Sequence, residues 1–240
     1  MIFPDPLIRG TLIKRYKRFL TDVELENGEV VVAHCANPGS MLSLLEEGAE
    51  VWLSPARNPK RKLKYTWEMI RIGDALVGLN TSLPNSIVQE AIENNIIPEL
   101  AGYERLRREV KYGKNSRIDI LLESEGVPIC YVEIKSVTMS RSNIMREKSQ
   151  NLAEFPDSVT ARGAKHLQEL SDQAAEGKRA VMLYLVQRED CDRFAVGADI
   201  DPTYAAGLKA AKTAGVEAIC YGCSVSPEAI KINRKLDFVD

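Results

Sequence analysis

Asp119, Glu133 and Lys135 are the residues whose types and spacing could do chemistry. Two carboxylates on one surface can hold Mg²⁺ or Mn²⁺, hard cations that favour oxygen ligands and keep several waters. A cation so held neutralises charge on a phosphodiester and lowers the pKa of a bound water. An ammonium beside it, here Lys135, would orient that water or stabilise charge developing in the transition state. The set therefore reads as a metal-dependent phosphodiester-cleaving site. The more ordinary reading is a cross-strand ion pair on a solvated face, worth under about 1 kcal/mol.

The elements that must position them are two strands. Arg117-Ile118-Asp119-Ile120-Leu121-Leu122 and Ile129-Cys130-Tyr131-Val132-Glu133-Ile134-Lys135 both alternate with period two, the signature of half-buried β-strands. Ile118, Ile120 and Leu122 share one face of the first, and Cys130, Val132 and Ile134 one face of the second. Asp119 then points away from its strand's apolar face, and Glu133 and Lys135 together away from theirs. A short connection holding Gly126 and Pro128 suits a hairpin.

Asp119, Glu133 and Lys135 resemble the core of the PD-(D/E)XK nuclease superfamily. More narrowly, the chain resembles the sugar fermentation stimulation protein A family. The stretches that carry this are Leu12-Ile13-Lys14-Arg15-Tyr16-Lys17-Arg18-Phe19-Leu20, His34-Cys35-Ala36-Asn37-Pro38-Gly39-Ser40-Met41 and Glu109-Val110-Lys111-Tyr112-Gly113. Further on come Ser116-Arg117-Ile118-Asp119, Val132-Glu133-Ile134-Lys135-Ser136-Val137-Thr138, Phe155-Pro156-Asp157 and Arg162-Gly163-Ala164-Lys165-His166-Leu167. They run in order across most of the chain. The resemblance implies an OB-like N-terminal β-barrel, a nuclease-like C-terminal domain and DNA binding. It implies Asp119 and Glu133 as metal ligands, with the backbone carbonyl of Ile134 as a third. Many superfamily members add a Glu from the first core helix, for which Glu90 is the positional candidate, though it lies far from that helix's apolar stripe. Between Thr138 and Phe155 the chain departs from the family pattern with a longer insert carrying Arg141, Arg146 and Lys148, readable as a basic flap or as a plain surface loop.

Composition allows this and excludes other classes. A 45% hydrophobic content fits a globular chain with a real core. No apolar run approaches the roughly 20 residues of a membrane span, and no signal peptide opens the sequence. Five cysteines, an odd count without framework spacing, fit a reducing cytoplasm. Cys220 and Cys223 form a lone C-x-x-C with no second pair to complete a zinc site, which reads as structural. The net charge of −2 argues against a body basic all over. The positive charge is nonetheless clustered, in Lys14, Arg15, Lys17 and Arg18, and in Arg57, Lys60, Arg61, Lys62 and Lys64.

Residues 1–81 read as short strands at 11–25, 29–35, 49–54, 64–72 and 75–80, with one helical interruption at 40–47. About five strands in a small basic unit is the profile of an OB-like barrel that binds nucleic acid. Tyr65 and Trp67 alternate beside the second basic cluster, and Tyr16 and Phe19 lie within the first. Aromatics among Lys and Arg suit base stacking, at about 1–3 kcal/mol per base, but Trp67 reads better as barrel core.

Residues 82–240 alternate helices and strands: a helix at 86–95, strands at 107–112, 117–123 and 129–135, a polar loop at 136–157, a helix at 160–175 and a strand at 179–186. That order, αβββαβ, is the nuclease-like core. Asp201-Pro202 caps a further helix that Gly215 ends, ahead of a strand at 216–221. On the second core helix Arg162 or Lys165 could hold a phosphate. His166 reads first as a hydrogen-bonded structural group, with phosphate contact or proton transfer as its functional reading. Two functions stay open on sequence: a DNA-binding Mg²⁺- or Mn²⁺-dependent nuclease, or a non-catalytic DNA-binding regulator of sugar metabolism genes on a nuclease-like scaffold. RNA in place of DNA is open too, because OB surfaces accept either.

Overall fold

Alternation of apolar and polar residues decides the first half. A computed structural model describes residues 1–113, 116–141 and 151–239. Strands β1 (Ile8–Tyr16), β2 (Leu20–Leu25), β3 (Val30–Cys35), β4 (Glu50–Pro55), β5 (Tyr65–Ile72) and β6 (Ala75–Gly78) form one sheet in the order β3-β2-β1-β4-β5-β6. β3 also pairs in parallel with β5, through Ala33–Tyr65, His34–Thr66 and Cys35–Trp67, and this closes the first five strands into a barrel. The inward set, including Leu12, Val23, Ala33, Val51, Leu53 and Trp67, is one buried core. Trp67 is fully buried and its indole N–H donates to the Met69 carbonyl at 2.8 Å.

Two expectations fail here for one reason. The strand expected at 11–25 is a hairpin, β1 and β2, turned by Lys17 (φ 48°) and Arg18 (φ 64°). The helix expected at 40–47 does not form: Met41 (φ 55°) and Ser43 (φ 70°) are left-handed, which breaks an α-helical ladder. Met41 and Leu44 are instead buried and plug the barrel core.

The second half is a mixed sheet with helices on both faces. In chain order come α1 (Pro84–Glu93), β7 (Arg105–Tyr112), β8 (Ser116–Ser124), β9 (Val127–Val137), β10 (Leu152–Phe155), α2 (Ala161–Ala175) and β11 (Arg179–Val186). They continue through β12 (Arg193–Val196), α3 (Pro202–Thr213), β13 (Glu217–Val225), β14 (Ile230–Lys235) and β15 (Asp237–Val239). The sheet order is β14-β13-β11-β9-β8-β7, with β9, β11 and β13 parallel and the other pairings antiparallel. Parallel neighbours need a crossover; α2 and α3 supply the two. The expected αβββαβ core is present with one addition. The stretch at 136–157, expected as loop, holds β10, which pairs with β12, itself paired with β15, in a small parallel sheet. Of the basic residues in that stretch, Arg146 and Lys148 lie outside the described residues.

Because both faces of the large sheet are covered, its strands bury side chains in two directions. Ile120, Leu122, Cys130, Val132 and Ile134 pack with Ile87, Val88 and Ala91 of α1. Leu121, Tyr184 and Val186 pack with Leu167 and Leu170 of α2. Ile118, expected with the first group, belongs to the second. The barrel shares the α1-side core: Met69 and Leu76 join it, as do Phe3 and Leu7 of the segment before β1, where Ile2 bridges Ala229.

Candidate functional site

The β8–β9 ladder runs from Ser124–Val127 to Ile120–Val132 and stops there. One residue further, Asp119 replaces the next rung with its side chain, Oδ2 accepting from the backbone N–H of Ile134 at 2.8 Å. An extended residue's N–H and C=O leave the same strand edge, so the Ile134 carbonyl, expected as a ligand, also faces Asp119. The second carboxylate oxygen, Oδ1, accepts from Asn85 Nδ2 at 2.9 Å. Asn85 stands in the first turn of α1, set there by Pro84, which needs no amide partner at a helix start. The same amide also reaches Glu109 Oε1 at 3.1 Å. Glu109, opposite Asp119 on β7, holds φ 53°.

Glu133 is buried, its side chain only 3% exposed, so it does not lie on a solvated face as an ordinary ion pair would. Its Oε1 accepts from Lys135 Nζ at 2.8 Å and meets His166 Nδ1 in a close contact. Lys135 Nζ lies 3.1 Å from the same Nδ1. One ring nitrogen cannot both donate to Glu133 and accept from Lys135, so with Nδ1 donating, His166 and Lys135 both donate to the same Glu133 oxygen. Glu133 Oε2 is buried and has no hydrogen-bond partner among the described residues. His166 is brought here by α2, whose start is fixed by Thr160 Oγ1 accepting from the Gly163 amide at 3.0 Å. Arg162 Nε stands 3.4 Å from His166 Nε2.

These groups line an open cleft of about 460 Å³ that also includes Thr81, Ser82, Arg108 and Ser136. Its lining mixes both signs, Glu109, Asp119 and Glu133 against Arg108, Lys135 and Arg162. Burial pushes the Asp119 carboxyl above the ordinary range, helped by the charge on Glu133 and opposed by the Ile134 amide, Asn85 and Lys135. Burial pushes Glu133 up as well, but His166 and Lys135 outweigh it and hold that carboxyl below the ordinary range. The phenol of Tyr112 is raised by burial, then by the charges of Glu133, Glu169 and Asp119.

Among the described residues no group of three or more His, Cys, Asp or Glu side chains is arranged to hold a metal. Two carboxylates, a backbone carbonyl and water are nonetheless the oxygen-rich, incomplete donor set that Mg²⁺ accepts. The buried, unpartnered Glu133 Oε2 fits it: such an oxygen is costly unless something binds it.

The other sequence candidates scatter. Glu90 lies outside the cleft and pairs with the N-terminal ammonium of Met1 at 2.9 Å. Lys165 turns to Ser116 Oγ at 3.1 Å and to Glu169 at 3.5 Å. Arg141 is held by Glu154 and by Asp199 and does not line the cleft. Cys220 and Cys223 are buried free thiols; burial raises both, Cys223 to about 12. Sequence reading missed Asn85, for which the one available signal was a polar amide directly after the helix-starting Pro84.

On the barrel, closure brings the two basic clusters to either side of β3. Leu20, next to the Lys17–Arg18 turn, pairs with His34, and His34 pairs with Thr66, which accepts from Arg61 at 3.2 Å. The Lys17, Arg18, Lys60 and Lys62 side chains have no hydrogen bond or ion pair among the described residues and are exposed. Others are partly engaged: Lys14 lies 3.8 Å from Asp22, Lys64 donates to the Pro59 carbonyl at 2.7 Å, and Tyr65 is half-buried. Arg15 is spent on structure, donating to the carbonyls of Arg18 at 3.0 Å, Asn37 at 2.9 Å and Gly39 at 3.0 Å.

A closed OB-like barrel followed by a mixed sheet with Asp, Glu and Lys at the end of a broken ladder defines a barrel-plus-nuclease-like class of protein. Comparison with known proteins gives the same division. Residues 13–79 match the SfsA N-terminal OB domain, and residues 82–229 match the sugar fermentation stimulation protein RE domain. The chain is 56% identical over 247 residues to the sugar fermentation stimulation protein homolog of Rhodospirillum rubrum, covering 100% of this chain and 99% of that protein. It is 56% identical over 236 residues to the homolog of Paramagnetospirillum magneticum, covering 98% and 97%. Its fold matches the structure of Pyrococcus furiosus SfsA in complex with Ca²⁺, with a TM-score of 0.87, 26% identity and coverage of 100% and 98%. The chain belongs to the sugar fermentation stimulation protein family.

Proposed function

We propose that this protein binds DNA through its barrel and cleaves phosphodiester bonds at the Asp119–Glu133–Lys135 cleft with Mg²⁺ or Mn²⁺. The observation that carries the reading is the buried, unpartnered Oε2 of Glu133, which lines the same open cleft as Asp119. The Pyrococcus furiosus relative, solved with Ca²⁺, supports a divalent cation in a protein of this fold. Asp119, Glu133 and the Ile134 carbonyl would hold it. Bound there, it would supply a water of lowered pKa and draw charge from the phosphate.

The chain's own residues divide the remaining work. Asn85 and the Ile134 amide orient Asp119. His166 and Lys135 grip Glu133 Oε1, which leaves Oε2 for the cation, and with His166 holding that oxygen Lys135 Nζ would turn toward the attacking water. Arg162 and Arg108, at opposite walls of the cleft, suit phosphate oxygens. The exposed Lys17, Arg18, Lys60 and Lys62 neutralise backbone phosphates without reading sequence. A domain boundary at residues 81–82 fits this division of labour. Five free, buried cysteines suit a cytoplasmic protein.

The test is incubation with single-stranded, duplex and branched DNA in Mg²⁺ or Mn²⁺, compared with Lys135→Ala and with EDTA. Metal-dependent cleavage lost in the variant is the expected result. Equal cleavage by wild type and variant, or none on any form with either metal, would overturn the catalytic reading.

A further inference from the structure

A second cavity adjoins the cleft. It has a volume of about 200 Å³ and lies at the seam between barrel and sheet. One wall is the loop after β3, Asn37 to Gly39; the other is Thr138, Met139, Phe155 and Asp157. It shares Thr81 and Ser136 with the cleft, and Ser136 directly follows Lys135. Anything seated there is one residue along the chain from the ammonium of the site.

The loop wall is built to stay in place. Arg15 ties its Asn37 and Gly39 carbonyls to the barrel. Asp157 ties it to the sheet, Oδ2 accepting from the Met41 amide at 2.9 Å and its carbonyl accepting from Ser40 Oγ at 2.8 Å. Gly39 has no room for a side chain, since a Cβ would meet Asp157 Oδ2 at 2.9 Å.

The lining selects an occupant. No Lys or Arg lines the cavity, while Asp157 and Glu154, the latter paired with Arg141, do, so nothing in the lining attracts a phosphate. Phe155, Met139 and Pro38 offer apolar surface, and Asn37, Thr81, Ser136 and Thr138 offer hydrogen bonds. Apolar faces with a few polar groups, acidic rather than basic, suit a nucleobase carrying exocyclic amines. The volume is that of one base, not of a base pair. The loop also continues β3, whose His34 sits between the two basic clusters. A strand following the cations would cross His34, then this loop, then reach Lys135.

We propose that the seam cavity receives the base next to the scissile phosphate, so that the substrate is an unpaired DNA strand. This rests on the nuclease reading of the cleft. The test is binding without metal, in EDTA, of one sequence as single strand and as duplex, with 2-aminopurine placed along the single strand. Thr81→Trp would fill the shared mouth. Thr81→Val controls for the lost hydrogen bond from Thr81 to the Ala36 carbonyl. Wild type and Thr81→Val should favour the single strand by about tenfold, with one label position responding on binding. Thr81→Trp should lose both effects. Equal binding of both forms by wild type, or an undiminished preference in Thr81→Trp, overturns the proposal. A preserved label response in a protein that cleaves nothing supports the base site and overturns only the nuclease reading.

Discussion

Replacing Asp119 with Asn separates a ligand from a strut. Without metal, the change removes a charge that burial and Glu133 both disfavour. Against that gain, Asn has one acceptor where Asp has two. Its oxygen can keep the Ile134 amide, but its NH₂ then faces the Asn85 amide, and one hydrogen bond is lost at about 1 kcal/mol. The two effects oppose, so the metal-free variant should lie within about 1 kcal/mol of wild type in urea unfolding at neutral pH. With Mn²⁺ at about one hundred times its Kd, the wild type should gain about 2.7 kcal/mol, because the ion binds only the folded form. A neutral carboxamide cannot supply the anionic ligand, so Asp119→Asn should gain almost nothing, and the gap should open only when metal is added. Equal Mn²⁺ stabilisation of both proteins would refute the ligand assignment. A metal-free loss above about 3 kcal/mol would instead make Asp119 a structural strut of the broken ladder.

Three further outcomes follow from the same contacts. Lys60→Ala with Lys62→Ala should weaken binding alike on unrelated single-stranded sequences and flatten the slope of log K against log salt by about 1.4, two contacts at about 0.7 each; an unchanged slope in titrations would move the DNA surface elsewhere. Burial raises the Glu68 carboxyl despite Ser54, Asn80 and Arg61, so its contribution to stability is intact below its ordinary value of 4.5 and lost as pH rises toward the folded value. Glu68→Gln should therefore lose less Tm than wild type between acid and neutral pH, and parallel Tm–pH curves would refute this. Asp201 accepts from the Tyr204 amide at 2.9 Å and the Thr160 amide at 2.8 Å, so Asp201→Ala should cost about 1–2 kcal/mol in urea unfolding while leaving Mn²⁺ affinity unchanged.

What was legible in the sequence was whatever depends on local periodicity. The strand expected at 179–186 matches β11, and the Asp201-Pro202 start of α3 matches too, because a buried apolar run and a cap are both local signals. That Glu133 and Lys135 share a face was legible because period two fixes the face of a side chain, whereas the alternation slips beside Asp119, where Ile118 packs opposite to Ile120. What failed depended on tertiary context. Lys17, Arg18, Met41 and Ser43 adopt left-handed backbone without Gly or Asn to announce it. β12 and β15 are short strands whose partners lie far away in sequence. The partner of Asp119 could not be read either, since Asn85 reaches it only after α1 packs on β8 and β9.

The broken ladder explains why the site can be both anchored and reactive. In an intact sheet Ile134 would donate to a backbone carbonyl of β8, and the residue opposite would be free to face either way. Here β8 and β9 separate a rung early, and the Ile134 amide takes Asp119 instead. The carboxylate is thus fixed at one oxygen by a rigid main-chain donor, with the Asn85 side chain at the other. Glu133 faces the gap from the strand that continues into β11 pairing, so its backbone does not move when β8 departs. One carboxylate is held by the Ile134 amide and Asn85 and the other by His166 and Lys135, and of their four oxygens Glu133 Oε2 is left without a partner among the described residues. That asymmetry is the physical reason to expect a cation at this place. A pair satisfied at every oxygen would be an ordinary buried ion pair, whereas this one keeps Glu133 Oε2 without a partner among the described residues.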